Sequence, residues 1–335
     1  MIDELSREAR AVVRAADTPW TILRHDWKAV LRQTWTDSAS DNVGLIAAGT
    51  AFWGFASIAP LLGAIVLSYG LFATPETVAD NIRGLFGVLP HDAANLIADQ
   101  LTNVVGTSGG KKGWALLLAL ALALYGGTQG ASAIVTALNV AYEEKERRGF
   151  FRLYLLAFAI TGTAVLMAIA ATVSTTIMAF LGRLLPDAPE MVRTAIRLSS
   201  YLLLGMMAVT AAALLYRFGP DRAHAKWVWL TPGSFATTVL WLATTTLFGF
   251  YVAHFGSYGA TYGSLGAVVV LQLWLWLSAY IFLLGAELNS QLERRTARDT
   301  TTGPPAPPGQ RGAAVADAIG PRVDSPEIRE AIAER

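Results

Sequence analysis

The chain has 335 residues, of which 53% are hydrophobic and only 15% charged, with a mean hydropathy of +0.43, a formal net charge of +1 and no cysteine. Soluble proteins carry about 25% charged residues, so this composition excludes an ordinary soluble domain. The near-zero charge gives no field to attract nucleic acid, and the absence of cysteine removes disulfides, thiolate metal sites and a cysteine nucleophile together.

Residues 1–42 contain Arg7, Arg10, Arg14, Asp17, Arg24, Asp26 and Lys28, which interrupt any apolar core of a signal peptide. They are expected to be a cytoplasmic segment ahead of the first membrane helix. Four charge-free stretches follow, 43–72, 114–142, 153–182 and 198–216. Each can span a bilayer core of roughly 30 Å, which takes about 20 helical residues. A fifth, 227–286, is too long for one crossing and must fold back, with Gly256, Gly259 and Gly263 marking the reversal between 228–253 and 265–286. The expected fold is therefore all-α, a polytopic membrane protein with six transmembrane helices in a domain of residues 43–292. Pro60 in the first helix removes a backbone hydrogen bond and predicts a kink, either a hinge or a packing device.

The loop 73–113 is long enough for short amphipathic helices, one opened by Pro75 with Ile82, Leu85 and Phe86 on a face, and one opened by Pro90 with Leu96, Ile97, Leu101, Val104 and Val105. After Leu292 the composition changes to Thr, Pro and Gly over 300–312, and residues 293–335 read as a disordered tail. Lys and Arg flanking the helices cluster on one side, at Arg24, Lys28 and Arg32, Lys145 to Arg152, Arg217 to Lys226, and Arg294 to Arg298. They outnumber those on the other side, so both termini are expected to be cytoplasmic.

The second membrane helix is the most polar. Tyr125, Gln129, Ser132, Thr136 and Asn139 recur at four- and three-residue spacings, which puts them within about 80° of arc on an α-helix. Gly126 and Gly130 form a GxxxG pattern beside them, suited to a close backbone approach. Hydroxyl stripes recur at Thr161, Thr172 and Thr175 and at Ser234, Thr238 and Thr245. Such faces line a polar cavity, or else bond their own helix carbonyls and pack. Gln272 lies deep in the last helix. Glu287 near its end opposes the helix dipole and calls for a cationic partner, with Arg217 a candidate for a structural or functional ion pair alongside Arg148 and Arg294. The four histidines are far apart, and no metal-ligand spacing, acid–base pair or cofactor motif is apparent.

Several runs form a pattern: Ala59-Pro60-Leu61-Leu62, Ala137-Leu138-Asn139, Tyr216-Arg217-Phe218-Gly219-Pro220, Pro232-Gly233, Tyr262-Gly263-Ser264-Leu265 and Leu284-Gly285-Ala286-Glu287-Leu288-Asn289. Together they resemble the YihY/virulence factor BrkB family of bacterial inner-membrane proteins, over about residues 30–292. The resemblance implies a six-helix protein of the bacterial cytoplasmic membrane. It brings an old label, ribonuclease BN, and an association with envelope and lipid export. With the polar helix face, it points to a protein that transports or flips a lipid or other amphiphile. The alternative is a non-transporting scaffold or envelope-integrity factor. Neither reading needs a catalytic residue, a metal or a cofactor. The expected partners are membrane lipids, with no nucleic acid.

Overall fold

A computed structural model describes residues 18–22, 24–72, 109–184, 189–255 and 264–318. After a 3-10 turn at Pro19–Thr21, the helices are α1 (Arg24–Ser40), α2 (Val43–Phe72), α3 (Gly109–Ala141), α4 (Phe150–Leu184), α5 (Glu190–Phe218), α6 (Trp227–Phe255), α7 (Ser264–Glu293) and the single turn α8 (Ala314–Asp317). Among the described residues there is no strand, only one isolated antiparallel bridge between Ala225 and Thr301. The protein is an all-α membrane protein. Two stretches, Trp227–Val252 and Val268–Glu293, are long and apolar enough to cross a bilayer, and Val43–Ser57, Phe150–Thr163 and Leu202–Phe218 are shorter apolar helical stretches. Leu45, Trp114, Leu155, Leu166, Leu202 and Leu247 are largely exposed, as lipid-facing side chains would be.

The expected amphipathic helices of 73–108, the glycine reversal at 256–263 and the chain beyond 318 lie outside the described residues. Helix α2 runs without interruption through Pro60. Contacts divide the chain into two compact units, Ala51–Gly130 and the remainder. Within Ala51–Gly130, the GxxxG pattern does what its spacing allows. A Cβ on Gly126 would come within 2.9 Å of the Ser57 backbone, and one on Gly130 within 3.7 Å of the Gly54 nitrogen. The two helices approach at backbone distance there.

In the other unit, α7 is the central element, packed against α6 and α1. Val43, Ala47, Leu138, Tyr142, Tyr216, Leu230, Leu283 and Ala286 share one buried cluster, and Val315 beyond α7 belongs to it. Helix α6 crosses α7 at paired glycines. A Cβ on Gly233 would collide with the Gly285 carbonyl, and one on Gly285 with Thr237 Oγ1. Tyr216 of α5 seals the crossing, its hydroxyl 2.7 Å from both Thr237 Oγ1 and the Phe282 carbonyl oxygen.

Two segments are more structured than the sequence indicates. Residues 24–40, expected as part of a cytoplasmic N-terminal segment, form α1, whose Val30 packs with Leu288 and Leu292 of α7 and with Trp229. Asn42, at φ 54°, turns the chain from α1 into α2 and accepts the amides of Leu45 and Ile46. The tail does not become irregular and free at 293. Residues 294–317 fold back as a strap, with Thr300, Arg311, Ala313, Val315 and Ala316 buried. Low hydrophobicity suggested disorder. The strap is instead held by polar partners that no local pattern reveals.

Candidate functional site

The polar side chains converge on the end of the bundle where the basic loops lie. The α3–α4 turn is organised by Asn139, buried at the end of α3: its Nδ2 donates to Glu146 Oε2 at 2.9 Å and its Oδ1 accepts the Asp221 amide at 2.7 Å. Arg148 completes the link. Its guanidinium bonds Glu146 through Nε and Nη2, each at 2.8 Å, and Nη2 also donates to the Gly219 carbonyl at 2.7 Å. Gly219 is required at this point, since a Cβ there would strike Leu138 and the Leu215 carbonyl. Burial alone would raise the Glu146 pKa, but the hydrogen bonds from Arg148 and Asn139 outweigh it and hold the carboxyl below its ordinary value.

The strap closes onto the α5–α6 turn. Lys226 N–H donates to the Thr300 carbonyl and Thr302 N–H to that of His224, each at 2.8 Å, flanking the Ala225–Thr301 bridge. The Ala223 amide donates to the Gly312 carbonyl at 2.8 Å. Glu144 accepts the Ala314 amide at 2.7 Å, joining the strap to the α3–α4 turn. Burial pushes the Glu144 carboxyl up, against the lowering by the Ala314 amide, Arg222 and Arg147. Arg311 donates to the carbonyls of Ala297, Arg298, Ala306 and Ala316 and fixes the strap's own shape.

Beneath the strap lies a buried ion pair. Arg222 Nη2 sits 2.6 Å from Glu293 Oε2, with both side chains almost fully enclosed; Thr300 Oγ1 donates to the same oxygen at 2.9 Å, and the Tyr142 ring lies 4.9 Å from the Arg222 guanidinium carbon. Burial would lower the Arg222 pKa, but the adjacent Glu293 charge and hydrogen bond reverse this and hold it above its ordinary value. Removing one partner strands the other charge. Arg222→Met is therefore expected to cost about 3–5 kcal/mol of stability, whereas Arg222→Met with Glu293→Met should recover most of the loss. Thermal scans of the two single variants and the double variant measure the coupling; additive losses would show that the two charges do not depend on each other.

The sequence-predicted residues separate into different environments. On α3, Tyr125 and Thr136 are exposed, Gln129 and Ser132 half-buried and Asn139 buried. Thr136 Oγ1 bonds the Ser132 carbonyl of its own helix at 2.9 Å. Asn139 thus belongs to the polar base. The hydroxyls of Thr161, Ser234 and Thr238 likewise bond carbonyls four residues back, while Gln272 is half-buried on α7. Glu287 is buried, but the expected ion pair with Arg217 does not form. Arg217 donates to the Ala225 carbonyl and lies over the Trp227 ring at 4.5 Å. Arg294 pairs with Glu143 instead. The physical reason is position: Arg217 ends α5 facing the 219–226 turn, whose backbone and Trp227 occupy its guanidinium.

Sequence reasoning did not single out Asn289 as a site residue. Its Oδ1 accepts the Gly233 amide at 2.8 Å and its Nδ2 donates to the Leu230 carbonyl at 3.2 Å, so one side chain joins α7 to the backbone of α6 around Pro232. Pro232 removes the hydrogen bond to the Val228 carbonyl four residues back, and the Asn289 amide ties down the adjoining backbone at Leu230 and Gly233. Four of the six motif runs that carried the family resemblance meet here. Leu138-Asn139, Tyr216 to Gly219, Pro232-Gly233 and Gly285 to Asn289 form one junction.

That convergence agrees with direct comparison. The virulence factor BrkB family model matches residues 34–310. The chain belongs to the virulence factor BrkB family. A relative, the ribonuclease-like protein YfkH of Bacillus subtilis (strain 168), is 29% identical over 222 residues, 64% of this chain and 78% of that protein. No solved structure matches the chain. The family match begins inside α1 and ends inside the strap, so it reaches into both of the segments that sequence reading had placed outside the membrane domain.

Proposed function

We propose that this BrkB-family protein moves a lipid or other amphiphilic envelope component within the bacterial cytoplasmic membrane, with its six long helices crossing the bilayer and both termini cytoplasmic. The observation that carries the reading is Gln129. This residue is half-buried on α3, with half-buried Ser132 and exposed Tyr125 on the same face. An amide has more donors and acceptors than its own helix can satisfy, and this face offers them to a polar headgroup. An amphiphile needs no charged group at mid-membrane depth, whereas ion pathways usually recruit Asp, Glu, Lys or Arg. The reading assigns no catalytic residue, metal or cofactor, and leaves the ribonuclease-like name with the Bacillus protein. Of the four histidines, His224 has a described side chain, and it faces Phe218 and the Arg217 carbonyl.

Fluorescent-lipid flipping in reconstituted vesicles is the test. Gln129→Leu should reduce flipping severalfold with little change in melting temperature. A purely interhelical amide would instead appear as a stability loss of about 0.6 kcal/mol, at most about 1.7, with activity per folded molecule preserved. A second reading, a non-transporting scaffold or envelope-integrity factor, is favoured by the interlocked base, which presents exposed Lys145, Arg147 and Arg298 around an ordered strap. Wild-type vesicles that flip lipid no faster than protein-free ones would select it.

A further inference from the structure

Helix α1 is amphipathic in the reverse sense of a helix on a soluble protein. Its buried side carries Gln33, Thr34, Asp37 and Ser38 beside Val30. Asp37 accepts Gln33 Nε2 at 2.8 Å and Gln291 Nε2 of α7 at 2.7 Å, and Ser38 Oγ lies 3.4 Å from the Tyr280 hydroxyl. The exposed side carries Lys28, Leu31, Arg32 and Trp35, with Leu31 55% and Trp35 65% accessible. Spacings of three, one and three put these four on a single stripe. A water-facing helix would turn Leu31 and Trp35 inward and Gln33 and Asp37 outward.

The depth of the stripe follows from its neighbours. Val30 packs with Leu288 and Leu292, where α7 leaves its charge-free run and acquires Glu287, Glu293 and Arg294. Ser38 is level with Tyr280, and the Trp276 indole donates to the Gly44 carbonyl at 2.9 Å. The α1 stripe therefore runs from the charged end of α7 toward its apolar part, basic residues at its outer end and Trp35 at its inner end. Exposed Trp20, stacked on Trp27 at 6.4 Å, and exposed Trp227 mark the same end of the bundle. Tryptophan concentrates at the boundary between headgroups and acyl chains.

We propose that the outer face of α1 is a binding site for an anionic glycerophospholipid. Lys28 and Arg32, one helical turn apart, hold the headgroup phosphate from two sides. Leu31 and Trp35 contact the glycerol backbone and the upper acyl chain. Charge selects the anionic class over a zwitterionic one, and the apolar half of the stripe selects a lipid over a water-soluble phosphate. A second copy of the chain would bring an identical basic stripe and meet repulsion. The inference is independent of the transport reading and is measured without it.

The test is the thermal shift of the full chain, purified in a zwitterionic detergent, on addition of phosphatidylglycerol, phosphatidylcholine or glycerol 3-phosphate. Phosphatidylglycerol should raise the melting temperature well above the rise given by phosphatidylcholine, and glycerol 3-phosphate should leave it unchanged. Lys28→Gln with Arg32→Gln should abolish most of the phosphatidylglycerol increment, and Trp35→Ala should reduce it. The readout is the increment that lipid adds to each variant's own lipid-free melting temperature. Equal shifts with the two lipids, an undiminished shift in the double variant, or an equal shift with glycerol 3-phosphate would each overturn the site. So would a lipid-free dimer that the double variant dissociates.

Discussion

Ending the chain at Arg298 should lower the melting temperature of the detergent-solubilised protein by roughly 10 °C. The truncation deletes Thr300, Arg311, Ala313, Val315 and Ala316, all buried, and the backbone pairing of the strap with residues 224–226. Burying a valine contributes about 1.5–3 kcal/mol, and each hydrogen bond about 1 kcal/mol net. The combined loss is thus about 4 kcal/mol or more, which corresponds to a shift of roughly 2–4 °C per kcal/mol for a protein of this general size. Glu293 also loses its Thr300 donor. Thermal scans of the full and shortened chains decide the matter, and coincident transitions would mean that the strap contributes nothing to the fold.

A single methyl group at the α6–α7 crossing should be as damaging. Gly285→Ala places a Cβ against Thr237 Oγ1, 2.5 Å from the Tyr216 hydroxyl and 2.9 Å from the Gly233 carbonyl. Overpacking ordinarily costs about 1–3 kcal/mol, and here the opposing atoms belong to two other helices, one of them being backbone. The expected result is a marked loss of monodisperse protein on size exclusion and a lowered melting temperature. Gly249→Ala on α6 is the control. A Cβ there meets nothing within 4 Å, so it should be neutral or raise stability by up to about 1 kcal/mol through helix propensity. Equal behaviour of the two variants would refute the tight crossing.

The polar base also explains why the family motifs are discontinuous in sequence. Asn139 reads the backbone of the α5–α6 turn, Asn289 reads the backbone of α6, and Gly219, Gly233 and Gly285 clear the space in which these contacts form. Asn139, Tyr216, Gly219, Gly233, Gly285 and Asn289 are each fitted against a different element of the fold.

The sequence by itself determined the solvent, the helical class and the approximate helix limits. Charge-free runs of about 20 or more residues have few alternatives to spanning a bilayer as helices, because unpaired backbone groups are too costly in hydrocarbon. Val43–Phe72 was legible to the residue, and the GxxxG spacing of Gly126 and Gly130 announced a close approach that α2 supplies. The candidate site was only partly legible. Periodicity grouped Asn139 with Gln129 because it measures angle around one helix, whereas depth along that helix put Asn139 among the loops and left Gln129 half-buried. Charge at a helix end suggested a partner for Glu287, but which guanidinium reaches which group depends on turn geometry, and Arg217 was taken by the Ala225 carbonyl. Helix α1 and the strap were decided by tertiary structure alone. Their stability comes from Asp37 with Gln291, Glu293 with Thr300, and Glu144 with Ala314, pairs 7 to 254 residues apart in the chain whose polar composition, read locally, resembles that of a solvated segment.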